Sequence, residues 1–184
     1  MNKNIIAISG TQGTGKSYLA YRLCTYLRKL GNNVIVFDEL ARECPFPINK
    51  EADDVTQIWL ATTQVARELE KIDKYDYIVV DRSVLDSFAY GLYLASSHND
   101  VIFSYLKEYL VRHIKKYYLR LYLLDPIAFN FNIEDGVRDT DPVFRIAVHN
   151  ILVDLYTASN IDFKIILDEF EVFSDITSTD LFKK

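Results

Sequence analysis

The sequence predicts an α/β fold, a three-layer sandwich with a five-stranded parallel sheet and helices on both faces. Three observations predict it. Short continuous apolar runs recur along the chain, as expected of strands buried on both faces. Segments with helical periodicity separate them. A glycine-rich stretch joins the first apolar run to the first helix, GTQGTGKS at Gly10–Ser17.

The elements follow in order. Ile5 to Ser9 reads as a buried strand. A helix over Lys16 to Leu30 places Leu19, Ala20, Leu23, Leu27 and Leu30 at helical spacing, and Gly31 ends it. Asn33 to Asp38 (NVIVFD) is the second strand. Glu43 to Lys50 is a loop, because its two prolines break regular pairing. A long helix over Ala52 to Ile72 carries Trp59, read as core packing, and Gln64. Asp76 to Asp81 (DYIVVD) is the third strand, and Ser83 to Ala95 and Asp100 to Lys116 are helical. Tyr118 to Leu124 is the fourth strand, followed by a loop over Pro126 to Thr140. Asp141 caps a helix running to Ala158 with Pro142 at its first position. Ile161 to Leu167 is the fifth strand, and a terminal helix ends the chain. There is no internal repeat, low-complexity tract or evident linker, so residues 1–184 read as one domain.

Composition narrows the classes of function. Hydrophobic residues make up 49% and charged residues 26% of 184, an ordinary globular balance. Net charge is −5 and the pI about 5.2, with no basic stripe of the kind that replaces counterions on nucleic acid. Arg112, Lys115, Lys116 and Arg120 read as a solvated helix face. An anion site must therefore be built locally. No apolar run approaches the ~18 residues that span a bilayer, so no membrane association is expected. Cys24 and Cys44 have no metal-ligand spacing and read as unpaired thiols in the cytoplasm. His98, His113 and His149 form no metal pair and read as structural or exposed.

Gly10, four residues, then Gly15, Lys16 and Ser17 is the phosphate-binding loop pattern. The glycines allow amides to point inward at phosphate oxygens. The helix that starts at Lys16 adds free N–H groups and a positive dipole end. Gly10, Thr11, Gln12, Gly13, Thr14, Gly15, Lys16, Ser17 and Tyr18 are the candidate nucleotide-binding residues, with ATP and Mg²⁺ as the ligands implied. Lys16 reaches the β- and γ-phosphates, and the Ser17 hydroxyl serves the metal. A second carboxylate at a neighbouring strand end is needed, and Asp81 fits.

Four strand ends gather at one edge of such a sheet. Glu39, or alternatively Asp38, is the candidate base toward an acceptor hydroxyl. Arg42 either pairs with an acceptor phosphate or ribose or forms a surface salt bridge. Arg82 and Asp86 (DRSVLD) and Gln64 are further candidate acceptor-binding residues, and Ser83 is expected to cap the next helix. A lid is expected over residues 126–145, where Asp135, Gly136 and Asp139 accompany Arg138 and Arg145, its candidate catalytic cations. The absence of an Asn-Lys-x-Asp guanine reader argues against a GTPase switch. An ATPase module without a small-molecule acceptor is the alternative.

GTQGTGKS, ELARE at Glu39 to Glu43, the Gln64 helix, VVDRS at Val79 to Ser83 and DGVRD at Asp135 to Asp139 together resemble the small P-loop kinases of nucleosides and nucleotides. The closest likeness is to the ribosylnicotinamide kinase domain of the bacterial NAD-biosynthesis regulator and related small ATP-binding domains. The Asp81-Arg82-Ser83 triplet is more similar to deoxynucleoside kinases. The resemblance implies ATP as donor, Mg²⁺, and a nucleoside or nucleotide acceptor above the sheet. It also places Glu39 or Asp38 near the acceptor hydroxyl and Arg138 in a lid. A homodimer through the helix from Val101 to Tyr117 is a further expectation.

Overall fold

The structure is a computed structural model that describes residues 3–48, 52–94, 101–130, 142–179 and 182. Its strands are β1 (Ile5–Ser9), β2 (Val34–Phe37), β3 (Tyr77–Asp81), β4 (Tyr118–Leu124) and β5 (Lys164–Ile166). Its helices are α1 (Lys16–Lys29), α2 (Asp54–Lys71), α3 (Val84–Leu94), α4 (Val101–Tyr117), α5 (Pro142–Ala158) and α6 (Glu169–Ser178), with a 3-10 turn at Leu40–Glu43. The strands pair in parallel in the order β2-β3-β1-β4-β5.

β1 is central and wholly buried, and its side chains alternate between two cores. Ile5 and Ala7 face the core built with α2, α3, α4 and α5. Ile6 and Ile8 face the core built with α1 and α6, where Leu19, Leu23, Leu27, Val172 and Ile176 pack. Each such aliphatic side chain contributes about 1.5–3 kcal/mol relative to exposure. The two cores make the three expected layers.

β3 begins one residue later than the sequence suggests, at Tyr77, and the two edge strands are shorter still. β2 loses Asn33 and Asp38; the Asn33 backbone N–H is instead taken by the Asp76 carboxylate at 2.7 Å. β5 loses Leu167 at one end and Ile161 to Phe163 at the other, where the turn after α5 places Asn160 at φ 49° and the Ile161 N–H closes back on the Tyr156 carbonyl at 2.9 Å. The remaining ends have local causes. Asp53 caps α2 by accepting from the Thr56 N–H, and an Asp168 capping box with Glu171 opens α6. The Asp141 cap expected for α5 lies outside the described residues.

The connection after β1 leads to one edge of the sheet and the connection after its neighbour β4 to the other. The carboxyl ends of β3, β1 and β4 therefore stand side by side at a topological switch point, where α/β sheets bind ligands.

Candidate active site

Gly10–Ser17 leaves the end of β1 and enters α1. Gly10 has φ 140°, and a Cβ there would meet the Leu124 carbonyl oxygen at 3.3 Å. Only glycine lets the loop start this close to β4. Gly15, at φ 75°, is the N-cap of α1, whose first N–H groups have no partner within the helix and suit an anion. The loop is ordered by its own atoms: the Thr14 hydroxyl donates to the Thr11 carbonyl at 2.8 Å, and the Lys16 ammonium donates to the same carbonyl at 2.5 Å. Burial, and then the Arg82 guanidinium, push the Lys16 ammonium down to about 8. This cation is poised to be stabilised by an incoming anion. Tyr18, by contrast, is 58% exposed, with Arg22 against its ring.

The root of the loop is held by Asp86, which is fully buried. Its Oδ2 accepts the Gly10 N–H at 3.1 Å, and its Oδ1 accepts the Ser9 hydroxyl, the Ser83 hydroxyl and the Ser83 N–H at 2.7, 2.7 and 3.0 Å. The Tyr156 hydroxyl stands 2.8 Å from both serine hydroxyls. The expectation that Asp86 binds an acceptor is therefore corrected: its lone pairs are used on the protein, and it is not among the residues that line the cavity beside Asp81. Ser83-x-x-Asp86 opens α3 with half of a capping box, the Asp86 side chain accepting the Ser83 N–H while the Ser83 hydroxyl accepts from the Leu85 N–H at 3.2 Å. That spacing was the signal in the sequence for this role.

Asp81 ends β3 opposite Ser17 and stands in a different situation. Its Oδ2 accepts the Ser17 hydroxyl, while Oδ1 is buried without a hydrogen-bond partner. Burial raises the Asp81 carboxyl above the ordinary value, partly countered by Lys16. A buried carboxylate oxygen with no partner is costly unless a cation or its water shell completes it. Ser17 and Asp81 thus fit a hydrated Mg²⁺ that takes its other ligands from phosphate and water. No cluster of three or more His, Cys, Asp or Glu that could hold a metal occurs among the described residues.

Beside Asp81 opens a cavity of about 370 Å³, lined by Glu39, Arg42, Gln57, Gln64, Arg82 and Tyr90 among others. Glu39 and Arg82 form a two-point ion pair, Nε and Nη2 reaching Oε1 at 2.8 and 2.7 Å. Arg82 holds φ 91°, a left-handed conformation that costs a non-glycine residue about 1–3 kcal/mol and clusters at functional sites. Asp38 does not share this cavity; it is exposed, bonded to the Tyr21 hydroxyl at 2.5 Å, and lines a smaller recess of about 210 Å³. Of the two candidate bases, Glu39 is the one that lines the main cavity. Arg42 lines the rim, 66% exposed and 4.0 Å from Glu39.

Two residues that sequence reasoning missed complete the cavity. The Tyr90 hydroxyl accepts the Gln12 N–H at 3.0 Å and donates to the Gln12 side-chain oxygen at 2.6 Å, while its ring lies 5.1 Å from the Arg82 guanidinium. Tyr90 therefore joins the phosphate loop to the cavity wall. Gln57 is 4% exposed, and its Oε1 is buried without a partner. It lies seven residues, two turns, before Gln64 on the same face of α2, a spacing the sequence displays. Gln64 itself also lines the cavity, but its amide nitrogen is engaged with Glu68 and the Arg82 carbonyl.

On the lid side, Arg138 lies outside the described residues, as do Asp135, Gly136 and Asp139. Arg145, the other candidate cation of the lid, is described. It is buried, donating to the Asn130 side chain at 2.6 Å and to the Pro126 and Phe129 carbonyls at 3.0 and 3.1 Å. It pins the turn after β4 to the first turn of α5. No helix among the described residues is long and apolar enough to cross a membrane.

Residues 5–171 match the family described as AAA domain. No curated protein sequence matches the chain. Among solved structures, thymidylate kinase from Ehrlichia chaffeensis superposes with a TM-score of 0.65 at 14% identity, over 96% of this chain and 99% of that one. Deoxyadenosine kinase from M. mycoides with bound dATP gives 0.61 at 16% identity, over 95% and 100%. Thymidylate kinase from Candida albicans gives 0.57 at 15% identity, over 98% and 94%. The chain belongs to the AAA-domain family of P-loop proteins, and its fold is the one shared by these nucleoside and nucleotide kinases.

Proposed function

We propose that the protein is an ATP-dependent kinase that transfers the γ-phosphate to a nucleoside or nucleoside monophosphate. The observation that carries this reading is the contiguity of the phosphate loop with the 370 Å³ cavity: Asp81 borders both, and the cavity wall holds the Glu39–Arg82 pair. A cavity of that size suits a single small ligand. The names of the structural neighbours, thymidylate kinase and deoxyadenosine kinase, support an acceptor of this class.

The residues divide the work as follows. Loop amides, the α1 N-terminus and Lys16 hold the β- and γ-phosphates of ATP. Ser17 and Asp81 would hold Mg²⁺, which when bound would offset the negative charge that builds on the transferred phosphate. Glu39 accepts the proton of an acceptor hydroxyl as the new O–P bond forms, and the electron pair of the broken β–γ bridge leaves with ADP. Arg82 keeps Glu39 oriented and supplies positive charge beside the transferred group. Gln57 and Gln64 offer amide groups to the polar edge of a planar base. Arg138 and a lid within residues 126–145 complete the proposal on the side of the transferred phosphate. The two free cysteines suit a cytoplasmic setting, and exposed Tyr105 and Tyr109 on α4 mark the face for a homodimer.

The test is a panel of nucleosides and nucleoside monophosphates with ATP and GTP as donors, read as ADP or GDP release. Stimulation by at least one acceptor is expected. Nucleotide hydrolysis that no acceptor stimulates would replace this reading by an ATPase module.

A further inference from the structure

α2 carries a fully buried carboxylate that neither the phosphate loop nor the metal pair uses. Glu68 is 0% exposed, and three donors from three elements surround it. Oε1 accepts from the Gln64 amide nitrogen at 2.9 Å, one helical turn earlier, and from the Tyr118 hydroxyl at 3.0 Å. Oε2 meets His113 Nε2 of α4 at 2.6 Å. The Tyr118 hydroxyl also accepts the Val84 N–H at 3.3 Å, which ties the start of α3 to the same point. Burial, and the carboxylate beside it, hold the Tyr118 hydroxyl protonated well above the ordinary tyrosine value.

The network reaches the active site through Gln64. Its amide nitrogen has two N–H groups; one goes to Glu68, the other to the Arg82 carbonyl at 2.8 Å. Both partners are acceptors, so the amide has one orientation, nitrogen toward Glu68 and Arg82. Arg82 is the residue at φ 91° whose side chain pairs with Glu39. Its left-handed backbone persists only where the surroundings fix it. On one side its N–H is bound to the Ile8 carbonyl at 3.0 Å. On the other its carbonyl is bound to Gln64.

We infer that Glu68 is a positioning residue for phosphoryl transfer: by fixing the Gln64 amide it holds the Arg82 backbone in its left-handed turn and so aims the Arg82–Glu39 pair into the cavity. This rests on the kinase reading above. Asp86 supports the donor side from beneath the phosphate loop; Glu68 supports the acceptor side from behind the cavity wall. No local pattern signals this role, since Glu68, His113 and Tyr118 lie on three separate elements.

The test uses the full chain with Glu68→Gln, which keeps the shape but brings an amide against Gln64, and Tyr118→Phe, which removes one donor and leaves the carboxylate. The first readout does not depend on activity. The Arg82 Nε–H, bound to Glu39, is expected to give an exchange-protected ¹⁵N resonance, assigned by its loss in Arg82→Lys. In folded Glu68→Gln it is expected to lose protection; an unchanged resonance would overturn the inference. The second readout is kinetic. The kcat for acceptor phosphorylation is expected to fall about ten- to hundredfold, as for a misplaced catalytic group, with the Kd for ATP within twofold of the wild type. An unchanged kcat, or equal losses in kcat and ATP affinity, would also overturn it. Should Glu68→Gln fail to fold, Tyr118→Phe decides: a severalfold lower kcat at unchanged ATP affinity supports the role, and no change rejects it. If the wild type phosphorylates no acceptor at all, the kinase reading fails, while the Arg82 resonance still decides this inference.

Discussion

Two aspartates five residues apart, Asp81 at the end of β3 and Asp86 in the first turn of α3, show how the donor side and its support differ. Asp86 is surrounded by donors from Ser9, Gly10, Ser83 and Tyr156, and every contact is to the protein. Asp81 spends one oxygen on Ser17 and leaves the other buried and unpartnered. A saturated carboxylate is a structural post, whereas an unsaturated one is a site awaiting a cation. The contrast extends to the arginines: Arg145 is tied to main-chain carbonyls, while Arg82 is paired with a carboxylate that lines a cavity.

The largest effect is expected at Lys16. Lys16→Ala should lower ATP turnover by about 10²–10³-fold or more while leaving the circular dichroism spectrum unchanged. Undiminished turnover would break the assignment of the phosphate loop.

The two aspartates should separate under the same substitution. Asp81→Asn is expected to lower phosphoryl transfer by about 10²-fold or more. Its Tm should stay level or rise, because a buried carboxyl raised above its ordinary value is replaced by a neutral group. Asp86→Asn places an amide N–H among groups that all donate, and is expected to cost about 2–4 kcal/mol, a fall of about 5–15 °C in Tm. Thermal melts alongside turnover assays check both, and equal losses of stability would erase the distinction.

Proton linkage sharpens the donor side further. The Lys16 ammonium, pushed down to about 8 in the free protein, is restored by bound phosphates. ATP binding should therefore take up close to one proton near pH 9 and almost none well below about 8. The ammonium's share of ATP affinity is complete below that pKa and declines as pH rises through it. Calorimetry in buffers of different ionisation enthalpy measures the uptake; no uptake at high pH contradicts the shift. A smaller effect is expected for Gly10→Ala, about 1–3 kcal/mol of stability, from the positive φ and the Leu124 carbonyl at 3.3 Å. Urea denaturation measures it, and a neutral result would show that β4 can move away.

How much of this was legible in the sequence depended on contiguity. The phosphate loop is eight consecutive residues that carry their own glycines, lysine and serine, so its place between β1 and α1 could be read directly. The parallel sheet was legible from its buried runs, except at β2 and β5, where edge strands have one partner and local hydrogen bonds compete. The acceptor side is assembled from four segments, and there local pattern misleads. Asp86 follows Asp81 and Arg82 in sequence but turns under the loop as part of a helix cap. Arg145 looks like a mobile cation but meets the carbonyls of its own preceding turn. Gln57 and Tyr90 matter through contacts that only the packing of α2 and α3 against the strand ends creates.

The fate of the γ-phosphate tests the central claim most directly. With γ-³²P-labelled ATP, Mg²⁺ and the acceptor panel, the label should appear in a phosphorylated nucleoside or nucleotide in step with ADP. It should vanish from that product in Lys16→Ala. Label recovered only as inorganic phosphate, whatever acceptor is present, would contradict the account.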